Sequence, residues 1–302
     1  MVVPSSAEAQ AVRANTRTRA TMIGDFTGRH PSRPSAAPTL PNPTRKHVKT
    51  RTLAALIGLV AGLTGGLFGV GGGLVAVPAL VLLFRLAQHR AHATSVTAIV
   101  ATATAALILF ALDGEVEWMT AGLLVAGAAG GAVAGAALMG RVDEVTLARA
   151  FVAITVVAGI RLLMLSDATA VEIFSVETPN GALLLVLTGL VAGTLAALLG
   201  VGGGLVFVPA MVVLFGFEQH LAQGTSLAAI VPTTLIASVR HARLGRVDWH
   251  LVFPIAIGGI AGGIAGALLA LELAPASLRA AFVGLLVVVS VRMVRRTRRR
   301  HA

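Results

Sequence analysis

From residue 53 the chain runs as long apolar stretches separated by short polar breaks. Stretches 53–67 and 73–84 meet within the segment GGLFGVGGGLVAVP (65–78), and stretches 94–112, 118–140 and 147–165 follow, each of these three near the length that crosses a bilayer. Residues 166–180 are polar and acidic (Asp167, Glu172, Glu177), with Pro179-Asn180-Gly181 as a breaker, and read as a surface linker. The apolar runs are too long, and too rich in Leu, Ala, Val and Gly, for the short alternating segments of a β-barrel. The pattern predicts an all-α polytopic membrane protein.

The same pattern then recurs at a single offset of 131 residues. Gly58 meets Gly189, Gly62 meets Gly193, Gly69 meets Gly200, Pro78 meets Pro209, and Gln88-His89 meets Gln219-His220. Thr94-Ser95 meets Thr225-Ser226, Thr102 meets Thr233, and Gly114-x-Val116-Glu117-Trp118 meets Gly245-x-Val247-Asp248-Trp249. No gap is needed, so the membrane part is two homologous halves, each a glycine-broken hairpin plus three transmembrane helices. The expected division is a basic, disordered cytoplasmic tail (1–51), repeat 1 (52–165), an extracytoplasmic linker (166–181), repeat 2 (182–291) and a second basic cytoplasmic tail (292–302).

The glycine segment is the conspicuous feature of each half. Gly69, Gly71, Gly72 and Gly73, and their copies Gly200, Gly202, Gly203 and Gly204, place four glycines in five residues halfway along an apolar stretch. Each costs a helix interior about 1 kcal/mol against Ala. As one helix, the two flanking halves would run about 45–50 Å, too long for a hydrocarbon core about 30 Å thick. A hairpin turning at the glycines resolves this, re-entrant or nearly spanning. Backbone freed at membrane depth must be buried in protein or line a cavity, and paired broken helices point to a transport site.

Composition supports the membrane reading. The 302 residues are 56% hydrophobic, with mean hydropathy +0.87 and only 12% Asp, Glu, Lys and Arg. Cysteine is absent, which excludes disulfides and thiolate metal sites. The net charge of +11 sits in the tails: residues 1–51 hold nine Lys/Arg against Glu8 and Asp25, and residues 292–300 hold six Arg and no acid. Basic tails beside membrane helices report a cytoplasmic location, and no nucleic-acid recognition module accompanies them. Nucleic acid is therefore not an expected partner. Residues 1–50 lack the apolar run of a secretory signal, although an Arg-rich, acid-poor stretch also suits a transit peptide.

Loop charge bears on orientation. If each hairpin returns to its own side, Arg85/Arg90, Arg141/Arg149, Arg240/Arg243/Arg246 and the C-terminal arginines share one side. The loop with Asp113, Glu115 and Glu117, the acidic linker and Glu218 take the other, as the positive-inside rule asks. Equivalent loops carry opposite charge, Glu115 against Arg246, which is the mark of inverted-topology repeats.

Candidate chemistry follows from the glycines. A turn of successive N–H groups ahead of a helix forms an anion nest, to which the helix start adds a positive dipole end. Glycines elsewhere, Gly127, Gly130, Gly131 and Gly135 or 258–266, read instead as close helix packing. Thr94-Ser95 and Thr225-Ser226 read either as N-caps opening the following helices or as hydroxyls facing the anion. Thr102, Thr233, Pro78 and Pro209 form a second tier, with back-bonding to its own helix the plain alternative for the threonines. His89 and His220 are matched proton carriers or exposed loop residues. Trp118 and Trp249 read as interface anchors. No acid falls inside a membrane stretch, and no metal-ligand cluster or nucleophile–base pair is present, so no cofactor, metal or enzymatic activity is expected.

Two copies of G-V-G-G-G-x-x-x-V-P-A, each followed by a Thr-Ser pair and a G-x-V-[DE]-W element, resemble the TauE/SafE family of sulfite and sulfonate exporters. The resemblance spans about 53–292. It implies a multi-pass plasma (inner) membrane permease, with both termini cytoplasmic, for small sulfur-containing anions such as sulfite, sulfoacetate or another organosulfonate. The half-sites are unequal: His92-Ala93 stands against Gln223-Gly224, and Ala101 against Pro232. The expected partners are a small anionic substrate, the lipid bilayer and, as an option, a second copy in a homodimer. Transport of another small anion or solute, or a non-transporting membrane subunit, is the alternative.

Overall fold

The computed structural model describes residues 43–138, 144–164, 174–199 and 203–298. Lys46–Ala302 is one compact unit. Every regular element among the described residues is a helix: α1 (Pro43–Phe68), α2 (Gly73–Leu83), α3 (Gln88–Leu112), α4 (Trp118–Leu138), α5 (Glu144–Met164), α6 (Pro179–Leu199), α7 (Gly204–Phe215), α8 (Gln219–Arg243), α9 (Trp249–Glu272) and α10 (Pro275–Arg298). Seven are long and apolar enough to cross a membrane, and α2 and α7 are the short apolar arms. Leu82, Leu112, Phe253 and Ile257 lie on the outside, where a bilayer supplies the apolar contact that water does not. The expected tail over most of 1–51, the first half of the linker 166–181, and Gly200 and Gly202 lie outside the described residues.

Helix boundaries follow local chemistry. Glu117 caps α4 by accepting from the Met119 and Thr120 N–H groups, and Asp248 caps α9 by accepting from the His250 N–H at 3.2 Å. Trp118 and Trp249 come next in sequence, both half-exposed or more, at matched helix starts. Pro179 and Pro275 each open a helix, where the missing N–H costs nothing. The start of α3 differs from expectation. It begins at Gln88, six residues before Thr94, and α8 begins correspondingly at Gln219. The polar residues taken for loop form an exposed first turn of α3, so Thr94 and Thr225 are not N-caps.

Glycine decides which helices touch. A Cβ on Gly58, Gly62 or Gly66 of α1 would run into the carbonyls of Ile255, Gly259 and Gly263 on α9. One on Gly258, Gly262 or Gly266 would strike the carbonyls of Ala55, Leu59 and Leu63 in return. The same interlock joins α4 and α6: Gly127 and Gly131 face the Val186 and Leu190 carbonyls, while Gly189 and Gly193 face those of Leu124 and Ala128. Backbones close enough to exclude a methyl gain dispersion contact that larger side chains forbid. The packing reading of these scattered glycines holds, except for Gly130, whose Cβ would meet only the Leu190 side chain at 4.0 Å.

These contacts are reciprocal. Gly58 against Ile255 becomes Gly189 against Leu124 when 131 is added to one number and subtracted from the other. A relation that maps each half onto the other and back is an approximate two-fold. Partners in α1/α9 and α4/α6 rise in number together, so each pair is parallel. The equivalent helices α3 and α8 are antiparallel: Thr97 meets Ser238, and Phe110 lies against Gly224. These contacts are compatible with halves related by reversal of direction. Because α3 also runs parallel to α9 (Thr94 at Asp248, Thr102 at Gly259), α1 and α3 point the same way and α2 carries the chain back between them.

Candidate functional site

The first glycine turn is built from its N-terminal side. Helix α1 ends in a Schellman arrangement: Gly69 adopts φ 67°, and the Val70 N–H donates to the Gly65 carbonyl at 3.2 Å. Gly71 and Gly72 follow, both at φ 76°, a region costly for any residue with a Cβ. Helix α2 then starts at Gly73, with the Val75 and Ala76 N–H groups donating to the Gly72 carbonyl. Between these bonds the N–H groups of Gly71, Gly72, Gly73 and Leu74 reach no backbone carbonyl among the described residues. The three glycines are buried. Buried N–H groups without a partner are rare in proteins, and successive N–H groups ahead of a helix are the backbone arrangement from which anion nests are made.

The turn lies against the other half at mid-length of α3 and α8. A Cβ on Gly71 would sit 3.2 Å from methyls of both Ile99 and Ile230, which are equivalent residues of the two halves. The start of α7 meets the first turn here, since a Cβ on Gly204 would lie 2.6 Å from the Val70 Cα and 2.8 Å from the Gly69 oxygen. Gly203 is right-handed (φ −71°), with the Phe207 ring over it. Pro78 and Pro209 sit inside α2 and α7, where each removes one helical N–H and frees the carbonyl four residues back, that of Leu74 or Leu205.

The hydroxyl pairs split in role. Thr225 Oγ1 accepts from the Glu117 N–H at 2.9 Å, and Thr94 Oγ1 accepts from the Asp248 N–H at 3.1 Å, another reciprocal pair. Each threonine pins the loop of the opposite half. Ser226 donates to the Gly69 carbonyl at 2.8 Å and so belongs to the glycine turn, while the buried Ser95 Oγ has no partner. Thr102 and Thr233 bond back to their own helices. His89 is exposed, whereas His220 is buried with Nε2 2.9 Å from the Ala270 carbonyl. The His92 and His241 rings meet edge to face at 5.7 Å, a contact the repeat alignment did not suggest because the two residues are not equivalents.

Two residues that sequence reasoning passed over stand out. Gln219 and Gln223 are 0% exposed, and among the described residues no atom of either carboxamide has a partner. The available signal was Gln219 aligning with Gln88, and Gln223 was noticed only as a mismatch. At the same end, Glu115 has its carboxyl pushed above the ordinary range, chiefly by burial. His220 opposes that shift, and Glu218 and Asp113 add to it. That end is acidic, and the opposite end gathers Arg240, Arg243 and Arg246.

The chain matches the family model described as Sulfite exporter TauE/SafE over residues 17–162 and 185–302. It belongs to the TauE/SafE family. The match reaches back to residue 17, into the stretch expected to be a disordered basic tail. A probable membrane transporter protein of Xylella fastidiosa strain 9a5c is 32% identical over 221 residues, covering 71% of this chain and 81% of that protein. The probable membrane transporter protein YunE of Bacillus subtilis is 25% identical over 240 residues, covering 71% and 86%. No solved structure matches. This TauE/SafE chain is thus a multi-pass membrane transporter and not an enzyme, with the first glycine turn at the meeting of its halves.

Proposed function

We propose that this transporter is a secondary exporter of small sulfur-containing anions, hydrogensulfite or organosulfonates, held between the two glycine turns near the bilayer midplane. The observation that carries the reading is the run of N–H groups from Gly71 to Leu74, three buried glycines and a half-buried leucine, that reach no backbone carbonyl among the described residues. Such a run offers four donors to oxygen without fixing a cation in the membrane. The basic ends of the repeats support a plasma-membrane orientation with both termini cytoplasmic. The two-fold that reverses helix direction supports alternating access, in which the halves exchange roles around one fixed site.

Flux in proteoliposomes tests this. Sulfite and a simple sulfonate should cross faster than in protein-free vesicles. Gly71→Ala, which sets a methyl between Ile99 and Ile230, should stop flux in protein that still inserts and elutes as wild type. Wild-type flux of neither sulfur anion overturns the cargo. Unchanged flux in Gly71→Ala returns the turns to a structural role.

A further inference from the structure

Four residues of α8 share one face with the glycine turn. Gln219, Gln223, Ser226 and Ile230 are spaced by four, three and four residues, within about 60° of one another on a helix of 3.6 residues per turn. The lower members of this stripe touch the turn. Ile230 meets Gly71, Ser226 donates to the Gly69 carbonyl, and the missing side chain of Gly69 admits the Gln223 backbone, whose Cα would lie 2.8 Å from a Cβ there. The stripe therefore runs from the N-terminus of α8 directly to the proposed anion nest.

Its upper members are the anomaly. Both glutamine side chains are fully buried, and all four carboxamide atoms lack partners. Buried amides without hydrogen bonds are costly, and a chain that keeps two of them one turn apart has a use for them. Side chains on a helix lean toward its N-terminus, so the Gln223 amide extends toward the turn carrying Gln219. There the N–H groups of the first turn are themselves free of intrahelical partners. The equivalent face of α3 differs, with Gln88 exposed and His92 in place of Gln223.

We infer that Gln219 and Gln223, with the first turn of α8, form a second oxyanion site in series with the glycine turn, selective for a solute of charge −1. The inference rests on the anion-transport reading above. Carboxamide N–H groups and helix amides give oxygen atoms hydrogen bonds but only partial positive charge. A sulfonate head fits that supply. A dianion, sulfoacetate included, carries a second buried charge that amide dipoles do not neutralise, and it must pass Asp113, Glu115 and Glu218; His220 offsets part of the charge at Glu115, and Arg279, in the second turn of α10 at the same end, is already engaged. The amide oxygens, being acceptors, also suit a protonated oxyanion that brings its own O–H.

The experiment is binding of methanesulfonate and of sulfate to the purified full chain, followed by thermal unfolding and isothermal calorimetry, alongside sulfite flux. Gln219→Met and Gln223→Met keep side-chain volume and remove every donor and acceptor. The expected result is at least tenfold weaker methanesulfonate binding in each variant. The ligand-free unfolding temperature should be equal to or above wild type, because unsatisfied polar atoms are gone. Wild type should bind sulfate at least tenfold more weakly than methanesulfonate. Wild-type sulfite flux with methanesulfonate affinity unchanged within twofold in both variants overturns this inference alone. So does a lowered ligand-free unfolding temperature in both, which marks the amides as structural, or equal affinity for sulfate. A wild type that neither binds nor transports any of these anions overturns this inference and the cargo reading together.

Discussion

Gly204 and Val70, from the glycine turns of opposite halves, are in backbone contact: a Cβ on Gly204 would lie 2.6 Å from the Val70 Cα. The two broken helices are thus one joint rather than two separate features. Gly204→Ala must push α7 away from the first turn. The expected cost is about 1–3 kcal/mol of stability from overpacking, together with loss of flux. Thermal unfolding in detergent and vesicle flux measure both, and a stable, active variant would show that the joint opens freely.

The glycine interlocks predict a paired response. Gly127→Ala and Gly258→Ala occupy equivalent positions and strike equivalent carbonyls, of Val186 and Ala55. Both should lose about 1–3 kcal/mol or more, and by similar amounts. Gly122 and Gly284 have nothing within 4 Å of an added Cβ, so alanine there should stabilise by about 0.5–1 kcal/mol through helix propensity. Unfolding temperatures of the four variants check the contrast.

Thr225→Val leaves the Glu117 N–H without its acceptor, and Thr94→Val does the same to the Asp248 N–H. Each should cost about 1–3 kcal/mol, the penalty of an unmet buried donor. Substitution by Ser, which keeps the oxygen, should restore most of it. Equal stability of the Val and wild-type proteins would mean that the loops are held by other contacts.

Glu115 gives a pH dependence of known sign. Its carboxyl titrates above the ordinary range in the folded protein, chiefly through burial. Folding is therefore favoured with the proton on. That stability is fully present below the ordinary carboxylate value and is lost as pH rises through the raised one. Glu115→Gln should unfold at a higher temperature than wild type at neutral pH, with the gap closing as pH falls toward the ordinary value. A gap that widens on acidification reverses the assignment.

Orientation can be read directly, because the chain has no native cysteine. Single cysteines at Arg85 and Arg243 should label from one side of the membrane, and those at Asp113 and Glu218 from the other. Arg85→Cys and Glu218→Cys labelling from the same side would remove the inverted arrangement.

Much of this was legible in the chain. Hydrophobic run lengths mark the helices, because a bilayer imposes one length on every crossing. The repeat offset brings Gly58 and Gly189 into correspondence, and the glycines at 69–73 announce a broken helix because no other residue tolerates three positive φ values. Other features were not legible. Helix α3 starts at Gln88 because a polar helical turn looks like a loop when only hydropathy is read. Thr94 and Thr225 looked like caps, yet each accepts a hydrogen bond from a loop more than 100 residues away.

By itself the sequence determined the class, the two-fold repetition and the place of the backbone breaks, since these depend on local propensity and on solvent. Only the tertiary structure decided which glycines face a neighbouring backbone, that Gly69 to Gly72 meet Gly204 beside Ile99 and Ile230, and that Gln219 and Gln223 are buried without partners. Burial and hydrogen-bond satisfaction are properties of what the rest of the chain brings to a residue, and no local pattern encodes that.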